Sequence, residues 1–144
     1  MPVGSVVLTP GTPSLAIDVP TLDLSTEEYD DSDWIARVAI AIGQAGGQLT
    51  EPVLLVLAGR HAALAPGLGF AQRAARRAIA GYVLVDPVLP TAATHDWPDA
   101  PVTVVITPNA DDDVRSAALA ARLRGWDVVT DDVDVTIAEI LARP

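Results

Sequence analysis

The chain has 144 residues, half of them hydrophobic and 19% charged, which excludes intrinsic disorder and supplies enough apolar side chains for one buried core. Its formal charge is −10 and all nine basic residues are arginine, so nucleic acid, with its anionic backbone, is excluded as an expected partner. There is no cysteine and there are two histidines, which removes disulfides, thiolate chemistry and the usual zinc ligand sets.

In chain order, Ser5 to Leu8 is a short strand, stopped by the loop-forming Thr9-Pro10-Gly11-Thr12-Pro13. Leu15 to Val19 is expected as a second strand, with Asp18 near its end. Ser25-Thr26-Glu27-Glu28 carries helix-start chemistry, unless the acidic run Asp30-Asp31-Ser32-Asp33 delays the start. Trp34, Ile35, Val38, Ala39 and Ile42 share one helical face, and Gly46-Gly47 ends that helix. Val53 to Leu57 is an apolar run of strand length, suited to burial on both faces. After a turn at Ala58-Gly59, a helix is expected from Phe70 to Ala80, with Ala71, Ala75 and Ile79 along one side and Gly81 closing it.

Tyr82 to Val85 is the next buried strand, with Asp86 before Pro87 as a strand-end turn former. Thr91 to Pro101 is a loop in which His95 and Trp97 stand near each other in sequence. Val102 to Ile106 is a strand, Val114 to Arg124 a helix started by Asp111-Asp112-Asp113 and ended by Gly125. Trp126 to Val129 and Val135 to Ala142 complete the chain as strand and helix. Strands too apolar to face water, alternating with helices, define an α/β protein: a mainly parallel sheet of about six strands with helices on both faces, in a single domain over residues 1–144. No apolar run reaches membrane-spanning length and Met1-Pro2-Val3-Gly4-Ser5 is not a basic leader, so the expectation is a cytoplasmic protein without membrane contact.

The stretch Pro52 to Ala80 organises the functional reading. A strand, a sharp turn and a helix make the shape of a nucleophile elbow, which lifts one side chain above the sheet edge. An esterase would carry Gly-x-Ser-x-Gly there; this chain carries Gly59-Arg60-His61-Ala62-Ala63.

With the words around it, this stretch resembles the α/β-hydrolase family. Ser5 to Gly11 is similar to that family's strand leading to the oxyanion loop, and Leu15-Ala-Ile-Asp-Val-Pro20 to its next strand. Pro52 to Ala63 occupies the elbow, and Ala80-Gly-Tyr-Val-Leu-Val-Asp-Pro87 is similar to the following strand, which often ends in Val-Asp-Pro. Val102 to Asp113 sits where the family presents its catalytic acid, and Gly125 to Asp132 where its last strand leads to the catalytic histidine. The resemblance covers nearly the whole chain and implies a truncated hydrolase-like sheet, without the family's two N-terminal strands or a cap domain.

The catalytic words depart from that family. With Gly59 as the first motif glycine, His61 stands where serine belongs and Ala63 replaces the closing glycine; a shift of one residue puts Ala62 at the nucleophile position instead. Neither register supplies a hydroxyl. Thr130-Asp131-Asp132-Val133 replaces the expected Gly-His, so only the acid remains, among Asp111, Asp112 and Asp113. A Ser-His-Asp mechanism is thereby excluded.

Two functions follow as expectations. One is a pseudoenzyme that binds a small acyl compound or a carrier or other partner protein. The alternative is an acyltransferase or (thio)esterase in which His61 acts as base or acyl carrier, oriented by Asp111. Backbone amides of Gly11, Thr12 and Ala62, with Thr9 beside them, are candidates for an oxyanion or ligand site. Arg73, Arg76 and Arg77 form a candidate patch for a phosphate, such as that of phosphopantetheine, or for an acidic partner surface. No cofactor and no metal is expected, and apolar surface left by the absent strands allows a homodimer.

Overall fold

The structure, a computed structural model, describes residues 2–91 and 97–143. Six strands form one parallel sheet: β1 (Ser5–Leu8), β2 (Thr21–Asp23), β3 (Val53–Ala58), β4 (Ile79–Val85), β5 (Val102–Ile106) and β6 (Asp127–Thr130). Their spatial order is β2-β1-β3-β4-β5-β6. The helices are α1 (Trp34–Gln44), α2 (Ala65–Ala74), α3 (Asp112–Leu123) and α4 (Val133–Leu141). None of them is long and apolar enough to cross a membrane. The chain is therefore of the α/β class expected from its alternating pattern.

Strand alternation divides the core into two clusters. Val7, Leu55, Leu57, Tyr82, Leu84 and Val104 pack with Trp34, Val38 and Ile42 of α1, Leu68 of α2 and Ala118 and Ala121 of α3. Val6, Leu8, Leu54, Val56, Val83 and Val105 pack with Val133, Ile137 and Ile140 of α4 and with Leu15, Ile17 and Val19. The handedness of parallel crossovers explains this division. The step from β1 to β2 runs one way across the sheet and every later step runs the other way, so right-handed connections place residues 9–20 opposite α1, α2 and α3. Each fully buried leucine or valine of these strands contributes about 1.5–3 kcal/mol.

Three local expectations are corrected. Leu15 to Val19 is not a strand; β2 is Thr21–Asp23, paired with Val6 to Leu8. Pro13 and Pro20 bracket the segment and each lacks an N–H for a ladder, so its alternating apolar residues pack on the sheet without pairing in it. The helix expected over Phe70–Ala80 is instead Ala65–Ala74, with Pro66 in its first turn, where a missing N–H costs nothing. Its end is set by Arg76, whose φ of 58° breaks the helical course and lets β4 begin at Ile79. Gly81, expected to close the helix, lies inside β4 opposite Leu54. The remaining strands and helices match their expected positions to within a few residues at each end.

Gly69 shows why α2 tolerates glycine. A Cβ there would overlap the Tyr82 hydroxyl, which is buried, donates to Asp99 Oδ1 at 2.7 Å and cannot swing away. At Gly67 a Cβ would meet the far end of the Ile35 side chain, which has room to move. The helix preference for alanine, about 1 kcal/mol, thus competes at Gly69 with an overpacking cost of about 1–3 kcal/mol. Gly69→Ala is expected to lower the urea midpoint and Gly67→Ala to leave it unchanged or raise it slightly. Adding Tyr82→Phe should recover part of the Gly69→Ala loss, and a stabilised Gly69→Ala protein would contradict this packing.

Candidate functional site

β1 and β3 are neighbours, yet the connection after β1 leaves for β2 and the connection after β3 leaves for β4. Loops that part in this way open a crevice at the carboxyl ends of the strands, where α/β sheets bind ligands. The two loops are the Thr9–Pro13 turn and the segment after Ala58. Gly59 takes a φ of 58°, open to glycine without strain, and residues 59–64 then wind as a 3-10 turn into α2. The expected sharp elbow is thus a more gradual turn, in which the positive φ falls on Gly59 and not on His61.

His61 projects from this turn with its side chain only 12% exposed. Its ring stacks on Trp34, the first residue of α1, with centroids 4.9 Å apart and planes 19° from parallel. Nδ1 lies 3.3 Å from the carbonyl oxygen of Pro10, and Nε2 lies 3.3 Å from Asp31 Oδ1. Both ring nitrogens therefore face acceptors. A neutral imidazole has one N–H, so it donates to one of the two and turns a lone pair toward the other. Neither nitrogen is left over for a substrate.

Asp31 is the centre of a small ionic cluster. Arg60 donates to it twice, from Nε at 3.2 Å and from Nη2 at 3.3 Å, while His61 meets the same carboxylate. Arg60 chiefly, and His61 second, hold the Asp31 carboxyl below its ordinary value. The cluster ties the turn after β3 to the acidic run before α1.

Asp111, the acid expected to orient His61, is elsewhere engaged. It is exposed and caps α3, accepting from the Val114 N–H at 2.9 Å, with Asp112 and Asp113 in the first helical turn. The carboxylate beside His61 is Asp31, so the expected His61–Asp111 pair is not formed. The expected oxyanion loop is also committed: the Gly11 N–H donates to the Ser25 carbonyl at 3.3 Å and the Thr12 N–H to the Thr9 carbonyl at 3.2 Å. The Thr9 and Thr12 hydroxyls donate to the carbonyls of Val56 and Thr9. Ala62 is fully buried beneath the turn.

The arginine patch is at the far end of α2 from His61, and its members are employed separately. Arg73 lies 3.9 Å from Asp99, and Arg77 donates to Gln72 at 2.9 Å. Arg76 is exposed and terminates the helix. Asp86 holds two strands together, accepting from the N–H and the hydroxyl of Thr107, as befits a strand-end residue. His95 lies outside the described residues. Trp97 is buried between Tyr82 and Trp126, within the core.

The crevice has a volume of about 730 Å³ and is lined by Pro10, Gly11, Ser25, Thr26, Glu27, Glu28, Tyr29, Asp30, Arg60 and His61. Hydroxyls, an aromatic ring and carboxylates dominate its wall. Among the described residues, no group of three or more histidine, aspartate or glutamate side chains is placed to hold a metal ion. Asp31, Trp34 and Tyr29 were not expected here from sequence. The acidic run was legible only as a delay to the helix start and Trp34 only as part of a helical apolar face, because the adjacency of β1 and β3 that brings them to His61 is not written locally.

Compared with known proteins, the chain matches no protein-family model, no curated protein and no solved structure.

The ionic cluster predicts a titration order. Asp31 gains partners on folding and its folded pKa is lowered, so the stabilisation it brings is present above its ordinary value of 3.8 and is lost as pH falls through the lower folded value. Carbon-detected NMR of the side-chain carboxyl should show Asp31 titrating below ordinary aspartates. Arg60→Gln should raise that midpoint more than His61→Phe, which keeps a ring against Trp34. The reverse order would remove Arg60 as the main partner.

Proposed function

We propose that this chain is a non-catalytic, α/β-hydrolase-like binding protein that receives its ligand in the His61 crevice and does not turn it over. The observation that carries this reading is the commitment of His61: each ring nitrogen faces a protein acceptor, whereas a base or nucleophile needs a lone pair aimed at the substrate. The engaged amides of Gly11 and Thr12 add to it, since an oxyanion hole needs donors aimed at the developing charge. The hydrolase-like part of the reading rests on the strand, turn and helix around His61, with the loop after the adjacent strand beside them.

The lining sets the class of occupant. Ser25, Thr26, Glu27, Glu28 and Asp30 present acceptors around the Tyr29 ring, so a donor-rich group, an amine or an amide, suits the crevice better than a phosphate or a bare acyl chain. That group would belong to a small acyl compound or to a partner protein. The Asp31–His61 contact favours a second reading, acyl transfer by a His–Asp pair with Asp31 in the role expected of Asp111. Reaction through Nδ1 would then require its release from Pro10.

Intact-protein mass spectrometry after exposure to activated esters and acyl thioesters, with hydrolysis followed in parallel, decides between the two. The expected result is an unchanged mass and hydrolysis at the buffer rate for wild type and His61→Ala alike. An acyl adduct, or turnover, that disappears in His61→Ala would establish the second reading in place of the first.

A further inference from the structure

A second recess lies on the other side of the sheet and has a more apolar lining. It has a volume of about 340 Å³ and runs between residues 15–19 and α4. Its floor is apolar, built from Leu15, Ile17, Val19, Ile137 and Leu141. Two charged residues line it, Asp18 and Asp134, both acidic and both exposed. The side chains of α4 at the recess, Asp134, Ala138 and Leu141, recur at helical spacing and form one face.

The topology accounts for the recess. The side of the sheet that carries α4 receives a single crossover, residues 9–20, and that crossover has no helix. The other side receives α1, α2 and α3. Beside α4 there is thus a strip of sheet covered by an extended segment where a crossover helix would otherwise lie.

We propose that this groove docks one amphipathic helix of a partner protein, apolar on the face toward Ile17 and Ile137 and basic along its flanks toward Asp18 and Asp134. Helices bind grooves of this kind by apolar anchors at i, i+3 and i+7, and the flanking charges fix which helix is accepted. A second copy of the chain is a poor occupant, because each copy carries a charge of −10 and the same carboxylates would meet across the contact. The groove is separate from the His61 crevice and does not depend on how that crevice functions.

The test is a fluorescence-anisotropy titration of the full chain with a labelled helix-forming peptide of leucine, alanine and lysine, leucines at i, i+3 and i+7. Two controls carry the argument: the same composition scrambled out of register, and the register kept with glutamate for lysine. The expected result is binding of the first peptide at least about tenfold tighter than either control. Ala138→Arg, at an exposed position in the groove, should abolish binding with an unchanged circular dichroism spectrum. Asp18→Asn with Asp134→Asn should weaken it and flatten its salt dependence. Hydrogen exchange should show peptide-dependent protection in residues 13–20 and α4. Equal binding of the scrambled peptide, insensitivity to Ala138→Arg, or protection confined to residues 25–33 would each overturn the proposal. So would a dimer in sedimentation that Ala138→Arg dissociates, which would assign the groove to a second copy.

Discussion

Because parallel crossovers are right-handed, the direction in which each strand joins the sheet decides which side its connection covers. In this chain that constraint acts once in one direction, from β1 to β2, and in the other direction for every later strand. One reversal has two consequences. It parts the loops after β1 and β3, which opens the crevice that holds His61, and it leaves the opposite side with one crossover and α4 for cover. The polar crevice and the apolar groove are therefore products of the same strand order.

His61 is also a structural tie. Its ring joins three segments distant in sequence: Pro10 after β1, Asp31 and Trp34 around the start of α1, and its own turn after β3. A serine, too short to span from the turn to Trp34 and Asp31 together, would leave the start of α1 without this tie. The residue in the turn after β3 thus serves here to pack and orient. Arg60 strengthens the same link through its paired bonds to Asp31, although exposed ion pairs of this kind are individually weak. The geometry is that of a wall held in place, against which something can bind.

Much of the fold was legible because its signals are local. Val53 to Leu57 and Val102 to Ile106 are apolar runs that have no stable place except inside a parallel sheet, and they are strands. The errors arose where tertiary packing overrode local preference. Pro66, Gly67 and Gly69 look like loop residues, yet they lie in a helix: Pro66 falls in its first turn, where a missing N–H costs nothing, and at Gly69 the Tyr82 hydroxyl occupies the space a side chain would fill. Leu15 to Val19 alternates like a strand because its apolar side chains pack on one side, while its backbone remains outside the ladder. At the site, the histidine was identifiable from its place after the central strand. Its partners were not, since Asp31 and Trp34 reach it only through a strand order that no short stretch of sequence records.

Charge adds the last constraint on what either recess can hold. The arginines are largely engaged within the fold: Arg60 on Asp31, Arg37 on Asp33, Arg77 on Gln72, and Arg124 on the Pro90 carbonyl and the Trp126 ring. The acids are less often paired, and those at Glu27, Glu28 and Asp30 and at Asp18 and Asp134 border the crevice and the groove. A cation approaching either recess therefore meets an attractive field, and an anion a repulsive one, over a range set by the screening length, about 8 Å at physiological salt. The sign of that field favours donor-rich or basic partners at both places. Apolarity then separates the two proposals: the groove would suit a partner that also offers an apolar face, and the crevice one that brings a donor-rich group.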